Sequence, residues 1–266
     1  MKLHQLVDTS QAVESIINNP QFAIDTQNTV DGIWVRDVPG DPAVGDAATG
    51  FDPVAVNTAF HSAMPLIPEL GVAVFGAGYW SKPTLLRAIW TMRNLCGEKV
   101  NIGIGTGYDV NLLSLCGTAA EHKQSKMQDI LEELQTSRSA SPSRATYWVA
   151  TTRPENWCNY ESIGGILLPA MPTERLATII KQRELLPPRI GMLLKVAPAI
   201  GSTKNATLTV ETDSRGIVLN TGHVAAANLI NGLNQVGVTD IILNVERASA
   251  ADALDFISNI KSAIRN

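Results

Sequence analysis

Three short, continuous apolar runs in the first half of the chain limit its fold most strongly. They extend from Gly32 to Val35, from Leu70 to Phe75 and from Val100 to Thr106. Runs without strict alternation of apolar and polar residues are typical of parallel strands that are covered on both faces. Between the runs, apolar residues recur at helical spacing. This order predicts a parallel barrel or an open parallel sheet, whose functional groups lie at the carboxyl ends of the strands.

Apolar runs recur along the whole chain and give eight candidate strands. They are Lys2–Val7, Gly32–Val35, Leu70–Phe75, Val100–Ile104, Ala145–Ala150, Gly164–Leu168, Ile190–Val196 and Asp240–Val245. A (β/α)8 barrel takes about 250 residues in one domain, and this chain has 266. We therefore predict an α/β protein with a single (β/α)8 TIM-barrel domain over residues 1–266.

The segment after the seventh candidate strand interrupts the alternation of strand and helix. Two stretches of strand-like sequence, 207–210 and 217–219, flank the turn-like sequence Asp213-Ser214-Arg215-Gly216. This pattern predicts a small hairpin inserted at the carboxyl end of the seventh strand.

Three residues mark expected helix boundaries. Pro20 lies within the segment 11–29, where the first helix is expected, and should split or shorten it. Gly237 is expected to end the helix that reaches Gln235. Ser249 is expected to cap the last helix at its amino end.

Composition and charge argue against several classes of protein. Apolar residues make up 45% of the chain and charged residues 17%, which favours a large core over disorder. The net charge is -4 without a basic tract, so neither nucleic acid nor an anionic membrane is the expected partner. No apolar run reaches the roughly 18 residues of a membrane span. The three cysteines lack metal or redox spacing and we recognise no signal peptide, so we predict reduced thiols in the cytoplasm. The histidines are scattered along the chain and predict no metal site.

Several segments, in their order and spacing, resemble one known family. They are DGIWVRDVPGDP, FDPVAVNTAF, LGVAVF, KPTLLRAIWTMRNLCGEKVNIGIGTG and GIVLNTGHVAAANLINGLNQVGVTDIILNVE. Together they resemble the bacterial luciferase-like flavin-dependent oxidoreductases, over residues 31–107 and 214–246. The chain looks like a shortened and divergent member of that family.

The resemblance implies a (β/α)8 barrel with reduced FMN, or a deazaflavin relative, across the carboxyl-end mouth. The cofactor would carry the redox chemistry while the barrel orients it and excludes water. Monooxygenases of the family use O2 to oxygenate a small organic substrate, and deazaflavin members transfer hydride. The implied partners are a flavin reductase and a second copy of the chain. Trp90 and Met92 either contribute to that dimer face or pack on the barrel.

Candidate catalytic residues lie where predicted strands end. Arg36 and Asp37 follow the second strand and either contact the substrate and flavin or form a salt bridge that pins the loop. The partner in such a bridge would be Asp41 or Asp52. His223 begins a helix close to the mouth and is the histidine best placed for acid–base chemistry, although a histidine at a helix start is also common on surfaces.

Candidate cofactor-binding residues follow the third, fourth and fifth strands. They are Phe75, Gly76, Thr106, Gly107, Thr151, Thr152 and Arg153. The family often has a non-proline cis peptide near Phe75 and Gly76. A glycine after the fourth strand lets a ligand approach the backbone. The three residues after the fifth strand offer hydroxyls, N–H groups and a cation to a bound phosphate. The alternative for the residues after the fourth strand is an ordinary turn. The alternative for those after the fifth strand is a solvated loop stiffened by Pro154.

Three functions remain open on the sequence alone. The first is a flavin-dependent oxidoreductase or monooxygenase that acts on a small organic substrate. The second is a barrel of reduced activity that binds flavin or serves as a partner subunit, because the family's Gly-Ser-rich phosphate turn is replaced here by Thr151-Thr152-Arg153. The third is an unrelated barrel lyase or isomerase that uses Arg36, Asp37 and Glu246.

Overall fold

Ten strands of one sheet organise the chain. The computed structural model describes residues 1–7, 16–37, 51–136, 146–153, 163–181, 186–198, 208–213, 216–246 and 248–265. The strands are β1 (Lys2–Val7), β2 (Gly32–Val35), β3 (Glu69–Gly76), β4 (Val100–Gly105), β5 (Thr146–Ala150), β6 (Ile163–Pro169), β7 (Arg189–Pro198), β8 (Thr209–Asp213), β9 (Gly216–Thr221) and β10 (Asp240–Val245).

Eight of these strands close into a parallel barrel. Each of β1 to β6 pairs in parallel with the next strand, and β10 pairs in parallel with both β7 and β1. The ring therefore has no free edge, and its eight strands are the eight that the apolar runs predict. The predicted (β/α)8 barrel is confirmed.

The two remaining strands form the predicted hairpin. β8 pairs antiparallel with β9, and β9 pairs in parallel with β7 from Lys195 to Pro198. β6 pairs with β7 only from Arg189 to Leu193, so the hairpin extends the sheet beyond the end of β6. It therefore lies at the carboxyl end of β7, as the sequence pattern indicates.

Helices alternate with the barrel strands. They are α1 (Pro20–Thr29), α2 (Pro53–Ala63), α3 (Lys82–Cys96), α4 (Val110–Leu115), α5 (Lys123–Thr136), α6 (Thr173–Ile180), α7 (His223–Gln235) and α8 (Ala250–Arg265). Pro20 is the first residue of α1 rather than a break within it, because a first-turn residue needs no intrahelical N–H bond. Gly237 follows α7 with a positive φ of 106°, and Ser249 accepts a hydrogen bond from the Asp252 N–H, as expected of a helix end and a cap. None of these helices, within the part of the chain described, is long and apolar enough to cross a membrane.

The interior of the barrel is filled by two tryptophans. Trp34 on β2 and Trp148 on β5 are both fully buried, and their rings meet edge to face with centroids 5.4 Å apart. Glycines on other strands leave the space for them: a Cβ added to Gly71 would lie 2.5 Å from Trp34, and one added to Gly165 would lie 2.5 Å from Trp148. The pairing of large rings with glycines fills the middle of the barrel with side chains.

A network of charged groups closes the amino-terminal end of the barrel. The Arg189 guanidinium donates to Asp240 and, at 2.9 Å, to Glu69, and Lys2 also donates to Glu69. Burial alone would raise the pKa of Asp240, but hydrogen bonds led by those from His4 and Arg189 outweigh it and hold that pKa well below its usual range. The pKa of Glu69 is lowered in the same way by Arg189 and Lys2.

This network is tied to the tryptophan layer above it. The Trp148 indole N–H donates to the Asn101 side-chain oxygen at 2.9 Å, and the Asn101 amide donates to Glu69 at 2.8 Å. The Arg189 guanidinium lies over the Trp148 ring, 4.7 Å from its centroid. The aromatic layer is thus fixed from below by polar contacts.

We expect Arg189→Met to lower the free energy of unfolding by about 3–5 kcal/mol at pH 7, because it leaves two buried carboxylates without their shared cation. Arg87→Met, at an exposed position of α3, should change it by less than about 0.5 kcal/mol. Urea unfolding monitored by circular dichroism measures both. The folded pKa values of Glu69 and Asp240 are lowered. The stability that these two carboxylates contribute in the wild type is therefore present above about pH 4.5 and is lost as the pH falls further. Equal free energies of unfolding for Arg189→Met and Arg87→Met would contradict the proposed role of Arg189.

We expect Gly165→Ala to destabilise the protein by about 1–3 kcal/mol, since the new methyl group overlaps the buried Trp148 ring. Gly232→Ala is the matched control, because a Cβ at that position in α7 has no heavy atom within 4 Å. The control should stabilise the protein by about 0.5–1 kcal/mol, the usual gain for a helix interior. Thermal unfolding of both variants tests the contrast. An unchanged unfolding midpoint for Gly165→Ala would show that the Trp148 ring can shift to make room for a methyl group.

Candidate functional site

A cavity of about 750 Å³ opens at the carboxyl ends of the strands. This volume lies within the range of small-molecule sites. Its floor is apolar and consists of the side chains that cover the tryptophan layer: Ala73, Val74, Ala150, Leu167 and Leu193. The floor is thus a shallow apolar surface rather than a deep hole.

Eight of the ten residues predicted for the site line this cavity. They are Arg36, Asp37, Gly76, Thr106, Gly107, Thr151, Thr152 and Arg153. They come from the ends of β2, β3, β4 and β5, four adjacent strands of the ring, so closure of the barrel brings them together.

The other two predicted residues lie elsewhere. Phe75 is fully buried among the core side chains between strands and helices, and its ring meets Trp80 edge to face. Its neighbours Val74 and Gly76 line the cavity, so Phe75 faces the opposite side of β3. His223 is partly buried at the start of α7 and is not among the lining residues. A cis peptide joins Ala73 to Val74, near the place where the family resemblance implies one.

Asp37 is a buried carboxyl group on the cavity wall. Its Oδ2 atom accepts hydrogen bonds from the Trp80 indole N–H at 2.6 Å and from the Gly76 N–H at 3.2 Å. Burial raises the pKa of Asp37 to about 6 although these two bonds act against the rise, and the nearby Asp52 raises it further. Asp37 therefore holds the segment after β3 against the end of β2 and exchanges a proton near neutral pH.

The sequence left open whether the residues after β2 form a salt bridge. Asp52 is occupied at the start of α2, where it accepts hydrogen bonds from the N–H groups of Val54 and Ala55. Asp41 lies outside the residues that the structure describes. Arg36 is partly buried and lines the cavity beside Asp37, so both interpretations of this residue stay open.

Tyr79 connects two loops of the wall, a role that sequence reasoning did not assign to it. Its phenolic oxygen accepts hydrogen bonds from the N–H groups of Tyr108 and Asp109, both at 3.0 Å. The ring fits between two glycines: a Cβ at Gly76 would lie 2.3 Å from it and one at Gly107 would lie 3.0 Å from it. Gly107 also has a positive φ of 85°. Gly76 and Gly107, both among the predicted cofactor-binding residues, leave the space that this ring occupies.

The charge of the described lining is strongly positive. Its cations are Arg36, Lys123, Arg153 and Lys195, and its only carboxyl group is Asp37. Lys123 is the first residue of α5, where the partial positive charge of the helix end adds to its own. Lys195 projects from β7 with its Nζ atom 3.9 Å from a Glu246 oxygen. Such a wall favours a ligand that carries an anionic group.

Two of these cations escaped the sequence analysis for different reasons. Lys195 is a lone charge near the carboxyl end of an apolar strand, a signal that identifies a mouth residue once the barrel is assumed. Lys123 belongs to no motif, and only the fold brings the start of α5 to the mouth.

A group with the donor atoms of a metal site lies at the other end of the barrel. His4, Glu69 and Asp240 bring one ligand atom each within 4.8 Å of one another. Both carboxylates already accept hydrogen bonds from Arg189 or Lys2, which balance their charge. We interpret the group as part of the ion-pair network described above.

Comparison with known proteins identifies the fold through structure and not through sequence. Scans against protein-family models and curated proteins give no match. Among solved structures, the chain is similar to the monooxygenase RslO1 from Streptomyces bottropensis, with a TM-score of 0.71 and 10% identity over 100% of this chain and 99% of that one.

Two further structures match over almost their full lengths. One is the coenzyme F420-dependent tetrahydromethanopterin reductase from Methanopyrus kandleri, with a TM-score of 0.67, 10% identity and coverage of 99% and 98%. The other is the oxygenating constituent of 3,6-diketocamphane monooxygenase from Pseudomonas putida, a type II Baeyer-Villiger monooxygenase in complex with FMN. Its TM-score is 0.68, with 9% identity and coverage of 99% and 97%. At these identities the shared property is the barrel fold.

We expect Asp37→Asn to be at least as stable as the wild type at pH 8, because it keeps an acceptor oxygen and removes a buried charge. Asp37→Ala should lower the free energy of unfolding by about 1–3 kcal/mol, since it leaves the Trp80 indole N–H without its acceptor. Chemical unfolding at pH 8 ranks the three proteins.

The same variants test the titration of Asp37. Its folded pKa is raised from 3.8 to about 6, so the folded state binds more protons in this interval. Wild-type stability relative to Asp37→Asn should therefore fall as the pH rises from 4 to 6, by on the order of 2 kcal/mol. A constant difference across this range would disprove the assignment.

Proposed function

We propose that this protein is a luciferase-like, flavin-dependent monooxygenase or oxidoreductase that acts on a small organic substrate. The observation that carries the proposal is a mouth cavity with an apolar floor and a cationic wall, which suits a planar ring system that bears an anionic group. The motifs at the ends of β2, β3 and β4 resemble that family, and the structural neighbours include an FMN complex and an F420-dependent enzyme.

The lining residues fit a flavin. Small side chains at Ala73, Gly105 and Ala150 keep the floor low where a tricyclic ring would lie. Lys123 and Arg153 provide positive charge for a phosphate, together with the hydroxyl groups of Thr151 and Thr152 after β5. We propose FMN as the cofactor and a deazaflavin as the alternative, because both share a ring of this size and an anionic tail.

The cofactor, when bound, would supply the electrons, and O2 would be the oxidant in the monooxygenase reaction. The chain's own groups would bind and orient. Arg36 would hold a polar group of the substrate, and Asp37 would accept or return a proton beside it, since its pKa lies near neutral pH. We assign no step to His223, because it lies outside the lining.

Two partners belong to the proposal. A flavin reductase would deliver reduced FMN, as the family resemblance implies. A second copy of the chain would pack on α3, where Trp90 is exposed. Met92 on the same helix is fully buried in the core and cannot contribute to that face.

Titration of the purified protein with oxidised FMN and with riboflavin tests the proposal. We expect Lys123→Met/Arg153→Met to weaken FMN binding about tenfold or more and riboflavin binding much less, because riboflavin lacks the phosphate. Lys181→Met is the control, since Lys181 is exposed at the end of α6 and is not a lining residue. Flavin fluorescence measures all affinities.

Failure of the wild type to bind FMN or a deazaflavin would reject the proposal. Binding followed by reoxidation of the reduced flavin in air, without any dependence on aldehydes or ketones, would favour the flavin-binding barrel without turnover of its own.

A further inference from the structure

Tyr79 has a hydrogen-bond donor that the described residues leave unused. A phenolic oxygen has two lone pairs and one proton. Both lone pairs are occupied, because the N–H groups of Tyr108 and Asp109 donate to this oxygen. Within the described ranges, the structure gives the Tyr79 proton no acceptor.

The ring that carries this donor is held in place and borders the cavity. Gly76 and Gly107 enclose it so closely that neither position has room for a side chain. Tyr79 is itself a lining residue and is only partly buried, so part of its side chain is exposed at the cavity wall. Its orientation is therefore set before any ligand binds, which reduces the entropic cost of the contact.

The hydroxyl group keeps its proton at neutral pH. Burial raises the pKa of Tyr79, although the two N–H donors act against the rise, and the charges of Tyr108 and Asp109 raise it further. The group is thus a donor and not a base under ordinary conditions.

The chemistry around this donor indicates what it binds. Lys123 and Arg153 line the same cavity, and the described residues provide neither of them with a carboxylate partner. A fixed neutral donor in the same cavity as two cations suits an oxyanion with several acceptor oxygens better than a single carbonyl group.

We propose that Tyr79 donates its phenolic O–H to a phosphoryl oxygen of the ligand in the mouth. The inference rests on the proposed function for the identity of that ligand, FMN, but its chemistry applies equally to free phosphate. It assigns Tyr79 a binding role in addition to its support of the loop after β4.

Thermal unfolding with inorganic phosphate tests the contact without any flavin. Millimolar phosphate should raise the midpoint of wild-type unfolding relative to equal ionic strength of chloride, and Tyr79→Phe should lose most of that rise. Ser62→Ala is the control, since it removes an exposed hydroxyl group of α2 that is not among the lining residues. An undiminished phosphate response in Tyr79→Phe would overturn the proposal, as would the absence of any response to phosphate or FMN in the wild type.

Flavin binding separates donation from loop support. Tyr79→Phe should weaken FMN about tenfold and leave riboflavin within about twofold. Equal weakening of both ligands would mean that Tyr79 only shapes the wall, and would also overturn the proposal. If the wild type binds phosphate through Tyr79 but binds no flavin, the proposed function fails while the phosphoryl contact stands.

Discussion

The edge-to-face pair of Trp34 and Trp148 is the contact on which the rest of the structure depends. The pair fills the middle of the barrel only because glycines stand opposite both rings. Below it, Arg189 is held over one ring and compensates two buried carboxylates. Above it, small apolar side chains form the cavity floor. One aromatic layer thus divides the barrel into a polar, structural end and an open, functional end.

The functional end is built from loops that are joined to one another. The Asp37 carboxyl group joins the end of β2 to the segment after β3, and the Tyr79 hydroxyl group joins that segment to the start of α4. Loops that would otherwise move independently therefore share a common framework. This linkage explains how short loops can present a definite wall.

Much of this architecture can be predicted from local patterns in the sequence. Apolar runs located all eight barrel strands, and the turn-like sequence 213–216 located the hairpin. Strand ends then pointed to eight of the lining residues. Phe75 was misplaced because its neighbours Val74 and Gly76 both line the cavity, so it faces the helices. Contacts such as those of Tyr79 and Lys123 join segments distant in sequence and follow only from closure of the ring.

The closed floor also bears on the order of events. Since packed rings close the floor from below, two molecules stacked in the cavity both enter from the mouth. The one that lies on the floor must arrive first and leave last. If the proposed flavin lies on the floor and its organic substrate above it, this arrangement requires that the flavin bind first and leave last.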